Sequence, residues 1–480
     1  MRIFFLHPPF KEYFSRSARS PQVSRSGTLY YPVWLSLAAA YVEKQGHTIH
    51  FLDAVADKIP VEGVIERIKE FQAEILVIET STSSVRADGV LADKLRQAFP
   101  ALRIVVVGAH AAAVPEETLA EMPSVDAVVC SEYERPLAEY AADLQSGGDG
   151  SNARGMALRK GLETFRTPRA PLLENLDEIP SPISLYKRFL TPEHYYFAAA
   201  AYPGVMLMTG RGCPNRCSWC VLPQTIHGRR YRHLSPERVV SDIEEACRTF
   251  PQCKELWLDD DTFTADRKHV RKVCELLLEK KLRFTSGPLK WYCNARPPLD
   301  LDTMQLMRKA GCRLLVVGFE SGEPEILRTM HKGFTVEQGF EIMQNARKAG
   351  LLVHGCFVVG NQGETEESME KTLRYAMALN PDSAQFYFIN PYPGTEYFKW
   401  AEENGCLAER DYSRWLDEDG ALQCVLNIPG LSASRMTEFC HQAFRRYHFR
   451  PKYVLGKALQ LLTRPDEGWR SLKSAIRSFL

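Results

Sequence analysis

The chain has 480 residues, too many for one ordinary core at the usual ~100–200 residues per domain, so two large domains with additions are expected. Hydrophobic residues make up 45% and charged residues 25%, a globular balance that excludes a disordered, collagen-like or disulfide-scaffold chain. With 60 Lys and Arg against 59 Asp and Glu the net charge is +1, so no global field draws the chain to nucleic acid and any basic patch is local.

The N-terminus, Met1-Arg-Ile-Phe-Phe-Leu-His-Pro-Pro, turns polar and meets proline before the apolar region of a signal peptide can form. From there to about Leu144, short β-rich runs at Arg2–Leu6, Ile49–Leu52, Ile75–Glu79, Arg103–Val107 and Ala127–Cys130 alternate with helical periods at Val33–Lys44, Val61–Phe71, Arg86–Phe99 and Pro115–Glu121. Runs such as Ile-Val-Val-Val fit parallel strands covered on both faces, so residues 1–145 are expected to form a doubly wound, Rossmann-like α/β domain whose ligand edge is the loops after the strands. Gln145-Ser-Gly-Gly-Asp-Gly-Ser-Asn breaks the pattern, and residues 146–198 read as an extended linker.

Six further strands are expected at Val205–Met208, Glu255–Leu258, Lys290–Asn294, Leu314–Phe319, Val353–Val359 and Gln385–Ile389. Helices at Pro236–Thr249, Asp266–Glu279, Leu301–Ala310, Val336–Ala349 and Glu366–Leu379 separate them. This rhythm predicts a partial (β/α)6 barrel of the TIM type over residues 199–420, with its chemistry at the carboxyl ends of the strands. A helical tail is expected over 421–480. The longest apolar stretch, Phe197–Met208, is cut by Pro203 and Gly204, short of the ~18 apolar residues a membrane span needs. Thirteen cysteines, an odd number, fit thiols kept free in a reducing compartment, so a cytoplasmic location is expected.

The strongest chemical signal is Gly212-Cys213-Pro-Asn-Arg-Cys217-Ser-Trp-Cys220, placed directly after the first barrel strand. A four-iron cluster normally takes four thiolates, so three in one loop with no fourth nearby leave one iron open to another ligand. A structural zinc held by the three cysteines and His227 is the competing reading, although zinc modules usually pair their ligands as two separated couples.

This Cys-x3-Cys-x2-Cys spacing resembles the signature of the radical S-adenosylmethionine enzymes, with Cys213, Cys217 and Cys220 as the metal ligands. The resemblance implies a 4Fe-4S cluster whose fourth iron chelates S-adenosylmethionine, one-electron cleavage of the sulfonium C–S bond to a 5′-deoxyadenosyl radical, and a reductase, flavodoxin or ferredoxin as electron donor. It further implies cofactor contacts at matching positions. Leu258-Asp-Asp-Asp-Thr-Phe263 ends the second strand where the family holds the methionine amine, which points to Asp260 and Asp261; the competing role is a helix N-cap, which Asp266 is placed to fill. Gly318-Phe-Glu-Ser-Gly322 looks like the segment near the ribose, with Glu320 and Ser321 as its polar groups. Asn294-Ala-Arg296 ends the third strand, so Arg296 faces the cofactor carboxylate or makes a structural ion pair. Trp219, between the last two cysteines, sits where the family often carries an aromatic residue beside adenine.

The N-terminal domain resembles the cobalamin-binding domains that precede one class of these enzymes. The Asp-x-His-x-x-Gly motif of many cobalamin proteins is absent: His7 precedes Pro-Pro, and Gly108-Ala-His110-Ala-Ala-Ala lacks both the Asp and the Gly. Cys130-Ser-Glu-Tyr-Glu134 also departs from the usual Gly-Glu-Gly-Glu. Cobalamin occupancy is therefore open in both directions.

Tyr31-Pro-Val-Trp34, Val107-Gly-Ala-His110, Pro115-Glu-Glu117 and Cys220 to Arg232 are similar to segments of hopanoid-associated members that form a cyclitol on a polyterpenoid side chain. That similarity implies a lipid or other small-molecule substrate, and the balanced charge leads us to expect no nucleic-acid partner. Residues 441–480 hold nine Lys and Arg against two acids. There Trp469, Leu472, Ile476 and Phe479 share one helical face and Arg470, Lys473 and Arg477 the other, as in a helix lying peripherally on an anionic membrane face or one docked on its own domain. The expected function is radical modification of an unactivated carbon. A cobalamin-dependent C-methyltransferase and a non-enzymatic zinc- or corrin-binding protein are the alternatives.

Overall fold

A computed structural model describes residues 1–479 of the chain, with side chains through Lys473. The first sheet contains β1 (Arg2–His7), β2 (Thr48–Asp53), β3 (Ile75–Glu79), β4 (Arg103–Val107), β5 (Ala127–Val129), β6 (Met156–Lys160) and β7 (Glu163–Arg166), in the order β2-β1-β3-β4-β5-β6-β7. The first five run parallel, and Ile75–Glu79 is buried at every residue because helices cover both faces. The doubly wound domain read from the sequence is thus present, with one addition. Residues 156–166, within the stretch read as linker, form a hairpin that joins β5 antiparallel and turns at Gly161, whose φ is 63°. All four residues of β7 are exposed, so no apolar alternation marks it in the sequence.

Strand order reverses between β1 and β3, the switch point at which open α/β sheets bind ligands. Here the chain's own segment, residues 8–28, crosses that edge. Phe14, Ser15, Arg16 and Ser17 are buried in it. Arg16 pairs with Asp88 at 2.7 Å and donates to the Pro8 carbonyl, and Ser17 donates to Glu79 at 2.8 Å.

The second sheet is the partial barrel. Its strands are β8 (Gly204–Leu207), β11 (Glu255–Leu258), β14 (Trp291–Ala295), β15 (Cys312–Glu320), β16 (Leu352–Val359) and β17 (Ser383–Phe388), all parallel, in the order β17-β16-β15-β14-β11-β8. Two short antiparallel ribbons, β9 (Gly210–Arg211) with β10 (Arg232–His233) and β12 (Arg283–Phe284) with β13 (Gly287–Pro288), accompany it. Helix starts are fixed locally: Ser235, Asp266 and Asp300 cap the helices that follow, and Thr335 with Gln338 closes a capping box. Along β15 and β16, Phe319 and Phe357 point out to stack on each other, so Val316, Gly318 and Glu320, and His354 and Cys356, line the lumen.

Helices at Ala433–His448, Pro451–Thr463 and Pro465–Phe479 complete the chain. The last two reach the amino ends of the barrel strands. There Arg313 binds Glu255 at 2.6 Å and Glu467 at 3.1 Å, and Arg470 donates to the Ala198 carbonyl. The terminal helix therefore docks through Glu467 and Arg470, and Trp469 is 59% exposed. The side chains of Ile476, Arg477 and Phe479, named in the sequence pattern, lie outside the described residues.

Candidate active site

The three-cysteine loop leaves the barrel between β9 and β10. Gly212 opens it at φ 83°, and a Cβ there would collide with the Arg230 carbonyl, so this turn requires glycine. Gln224 ties the loop to itself by donating to the carbonyls of Ser218 at 3.0 Å and Cys220 at 2.9 Å, while Arg229 donates to the Asn215 carbonyl at 2.8 Å. Cys217 is buried and Cys213 and Cys220 half-buried, all three as free thiols. Burial pushes the Cys217 and Cys220 thiols above their ordinary range; Cys213 raises both and Cys217 raises Cys220 further, against Lys332 beside Cys217 and Arg19 beside Cys220. Asn215 Nδ2 donates to Cys213 Sγ at 3.2 Å. Arg296 lies within the field of Cys213 and Cys217, and its Nη2 binds the Lys332 carbonyl at 2.8 Å. Burial lowers its affinity for the proton, and the two sulfurs offset that.

The acidic run after β11 divides its work. Asp260 is fully buried and accepts from Thr209 N at 2.6 Å, Thr209 Oγ1 at 2.8 Å and Tyr231 at 3.1 Å; burial raises it to about 7. Asp261 accepts from Gly212 N at 2.7 Å and pairs with His227 Nδ1 at 2.8 Å. Burial opposes its charge, but His227 and Arg19 outweigh that and hold it at about 2. Both carboxylates are thus spent on the entry and exit of the cysteine loop and not on the open mouth. Asp259, which the sequence reading did not single out, faces that mouth and takes Arg19 Nη1 at 2.9 Å and Asn294 Nδ2 at 3.0 Å. Asp266 caps its helix as expected.

Glu320 sits at a register shift of β15 with φ 61°, a left-handed conformation for a buried residue. It binds Lys332 Nζ at 2.6 Å and accepts from Tyr387 at 3.4 Å. Ser321 is buried and spends its hydroxyl on Thr372 at 3.0 Å and the Glu323 amide at 3.1 Å, a local turn away from the lumen. Trp219 is half-buried against the core, and its Nε1 has no protein partner. Arg296, Glu320 and the three cysteines therefore share one end of the barrel with Lys332, Tyr387 and Arg19. Sequence reading missed the last three because Lys332 lies in a short turn, Tyr387 looks like an ordinary strand aromatic, and Arg19 belongs to an aperiodic segment of the other domain.

Two buried ion pairs join the loop to the N-terminal domain. Arg211 binds Glu134 at 2.5 and 3.1 Å, and Arg232 binds Glu132 at 2.7 and 3.0 Å, with all four side chains at most 4% exposed. The Cys130–Glu134 segment is thus an electrostatic clamp on the ribbon that carries the cysteines.

The site fits a metal cluster. Three free thiols on one loop are the donor set that a multi-iron cage takes, and His227 Nδ1 is held by Asp261. Arg296 and Lys332 supply positive charge beside them. The corrin edge is tighter. A crevice lined by Arg16, Trp34, Thr82, His110, Val221 and Tyr392 leaves both ring nitrogens of His110 and Trp34 Nε1 buried without protein partners. These are donors and acceptors that a bound polar group would take up, but the free space is about 20 Å³, enough for one water. Arg16, Ala18 and Pro21 of the residue 8–28 segment fill this edge, so the crevice as it stands has no room for a corrin.

Residues 207–376 match the Radical SAM superfamily and residues 20–141 the B12 binding domain. The chain is 28% identical over 456 residues to an uncharacterized methyltransferase of Pyrococcus horikoshii, covering 95% of this chain and 94% of that one. It is 23% identical over 410 residues to the hopanoid C-3 methylase of Methylococcus capsulatus, covering 83% and 73%. Its fold resembles that of a radical S-adenosylmethionine methyltransferase from Kitasatospora setae, solved with cobalamin and a 4Fe-4S cluster bound, with a TM-score of 0.72 at 16% identity over 99% of each chain. The chain thus carries a Radical SAM domain and a B12 binding domain, and it shares its fold along its length with a solved protein that holds both cofactors.

Proposed function

We propose that Cys213, Cys217 and Cys220 hold the 4Fe-4S cluster of this enzyme and that the barrel lumen beside them receives S-adenosylmethionine and an organic substrate with an unactivated C–H bond. When bound, the cluster and S-adenosylmethionine supply a 5′-deoxyadenosyl radical. The observation that carries the reading is the pairing of three free thiols on a ribbon-held loop with two half-buried cations, Arg296 and Lys332, at the carboxyl ends of the barrel strands. Arg296 has no carboxylate within ion-pair distance among the described contacts, so it is the cation available to a cofactor carboxylate. Glu320, aimed into the lumen by its backbone twist, is suited to a hydroxyl of the ribose, and half-buried Trp219, with a free Nε1, to adenine. Asp260 and Asp261 act one step back, by positioning the loop.

Arg19 closes the mouth from the N-terminal segment. It binds Asp259 and the Asp260 carbonyl at 2.8 Å, so that substrate entry and water exclusion depend on both domains. The substrate class we favour is a hopanoid or similar lipid or secondary metabolite, supported by the sequence segments shared with hopanoid-associated enzymes and the methylase relative. C-methylation is the second reading, favoured by the B12-binding match and by the unsatisfied polar atoms around His110. A one-electron donor of the flavodoxin or ferredoxin type completes the cycle.

The test is anaerobic reconstitution. Four irons per chain, a brown chromophore and 5′-deoxyadenosine released from S-adenosylmethionine under a low-potential reductant are expected, all lost in Cys217→Ala. Stoichiometric zinc without iron, or no nucleoside product from an iron-loaded protein, refutes the reading. Cobalt assayed on the same sample separates methyl transfer from rearrangement.

A further inference from the structure

The last two helices expose an apolar face that the barrel does not use. In Pro451–Thr463, Val454, Leu455, Ala458, Leu459 and Leu462 recur at i, i+1, i+4, i+5 and i+8, which stacks them on one side. All five are exposed, Leu459 by 60% and Leu462 by 82%. Trp469 and Leu472 of the following helix extend the patch, at 59% and 39%. The opposite side of this helical pair is the anchored one: Tyr453 donates to the Asp382 carbonyl at 3.0 Å, Glu467 holds Arg313, and Arg470 donates to the Ala198 carbonyl. The polar face of the pair is turned inward and the apolar face outward, the reverse of an ordinary surface helix.

Charge decides what covers it. Arg445, Lys452, Arg464 and Lys473 are exposed along the same segment, and Asp466 is its one exposed acid among the described residues. A second copy would set two basic rims against each other, whereas an anionic surface neutralises them. No helix among the described residues is long and apolar enough to cross a membrane, so an apolar face of this length lies in the headgroup–acyl boundary and does not span.

We propose that the helical pair 451–473 seats the enzyme on an anionic lipid bilayer, with Leu455, Leu459, Leu462, Trp469 and Leu472 inserted and Lys452, Arg464 and Lys473 on the headgroups. The pair caps the amino ends of the barrel strands, opposite the cysteine loop, so seating leaves the barrel mouth turned from the surface. The proposal goes beyond the chemistry at the cysteine loop and does not depend on it.

Co-sedimentation of the full-length protein with phosphatidylglycerol-rich vesicles tests it. Binding is expected at low salt, weaker binding as salt rises, and little binding to phosphatidylcholine alone. The double variant Leu459→Glu/Leu462→Glu is expected to partition at least ~tenfold less, and Lys452→Gln to lose about fivefold on anionic vesicles. Quenching of Trp469 by brominated lipid, taken as the difference between wild type and Trp469→Phe so that the signal of the other tryptophans is subtracted, is expected in the wild type and absent from the leucine variant. Unchanged thermal melting and unchanged 5′-deoxyadenosine release in the variants show that only docking was touched. Equal sedimentation of wild type and leucine variant overturns the proposal, as does a wild-type dimer that dissociates on Leu459→Glu without any vesicle binding.

Discussion

Glu134→Gln isolates the clamp between the two domains. Glu134 meets Arg211 through two hydrogen bonds, and the guanidinium and carboxylate are 3% and 2% exposed, so solvent screens neither. Removing one partner of such a pair leaves a buried charge uncompensated, at a cost of about 3–5 kcal/mol. Glu132 lies 3.5 Å from Arg211, and it is already engaged by Arg232, so it recovers part of the loss and the lower end, about 3 kcal/mol, is expected. That is a shift of about a hundredfold in the folded-to-unfolded ratio. Because Arg211 immediately precedes Gly212 and Cys213, the same variant is expected to bind less iron per chain after reconstitution. Anaerobic guanidinium unfolding followed by circular dichroism measures the first effect and iron assay the second. Adding Arg211→Met to Glu134→Leu removes both charges and is expected to restore most of the stability. A single variant within about 0.5 kcal/mol of wild type and with undiminished iron would refute the clamp.

Gly212→Ala forces a left-handed backbone on a residue with a Cβ and drives it into the Arg230 carbonyl, so iron loading is expected to fall severalfold while the N-terminal sheet still folds; unchanged loading counts against the loop geometry. Stability depends on pH through Glu132. Burial opposes its charge, but Arg211 and Arg232 outweigh burial and depress it. Its folded pKa lies below the unfolded one, so its contribution is present above the ordinary carboxylate range and is lost as pH falls through the depressed value. Glu132→Gln is expected to flatten acid-side melting curves, and an unaltered slope contradicts this. Arg16→Ala releases the residue 8–28 segment from Asp88 and removes its internal tie to the Pro8 carbonyl, and is expected to speed uptake of hydroxocobalamin in a cobalt-binding time course; equal uptake by wild type means the segment does not gate the crevice.

Much of the architecture was legible because period and cap agree in this chain. The helices at Val33–Lys44, Pro236–Thr249, Val336–Ala349 and Glu366–Leu379 stand where their apolar periods place them, bounded by Ser235, Thr335 and Thr365. The β6–β7 hairpin escaped because its outer strand has no buried face from which a pattern could arise. At the site, residues close in sequence were legible and residues brought together by topology were not. The cysteine spacing is local, whereas Arg19 reaches Asp259 across 240 positions and Lys332 meets Glu320 only because β15 twists at its end. Asp260 and Asp261 show the converse limit. Adjacent carboxylates at a strand end look alike in sequence, and only their neighbours show that one holds Thr209 and Tyr231 and the other holds Gly212 and His227.

The N-terminal domain contributes to the barrel whether or not a corrin is present. Arg19 covers the mouth at Asp259, Glu132 and Glu134 neutralise the two arginines of the loop ribbon, and Trp34 packs edge-on against His227, the partner of Asp261. The last two contacts end on groups that position the cysteine loop, so a chain lacking residues 1–145 would expose Arg211 and Arg232 and loosen Asp261. A barrel expressed without that domain is therefore expected to lose iron far faster than the full chain under chelator challenge. Retention at the full-chain rate would mean that the interdomain charges stabilise the domains without reaching the loop.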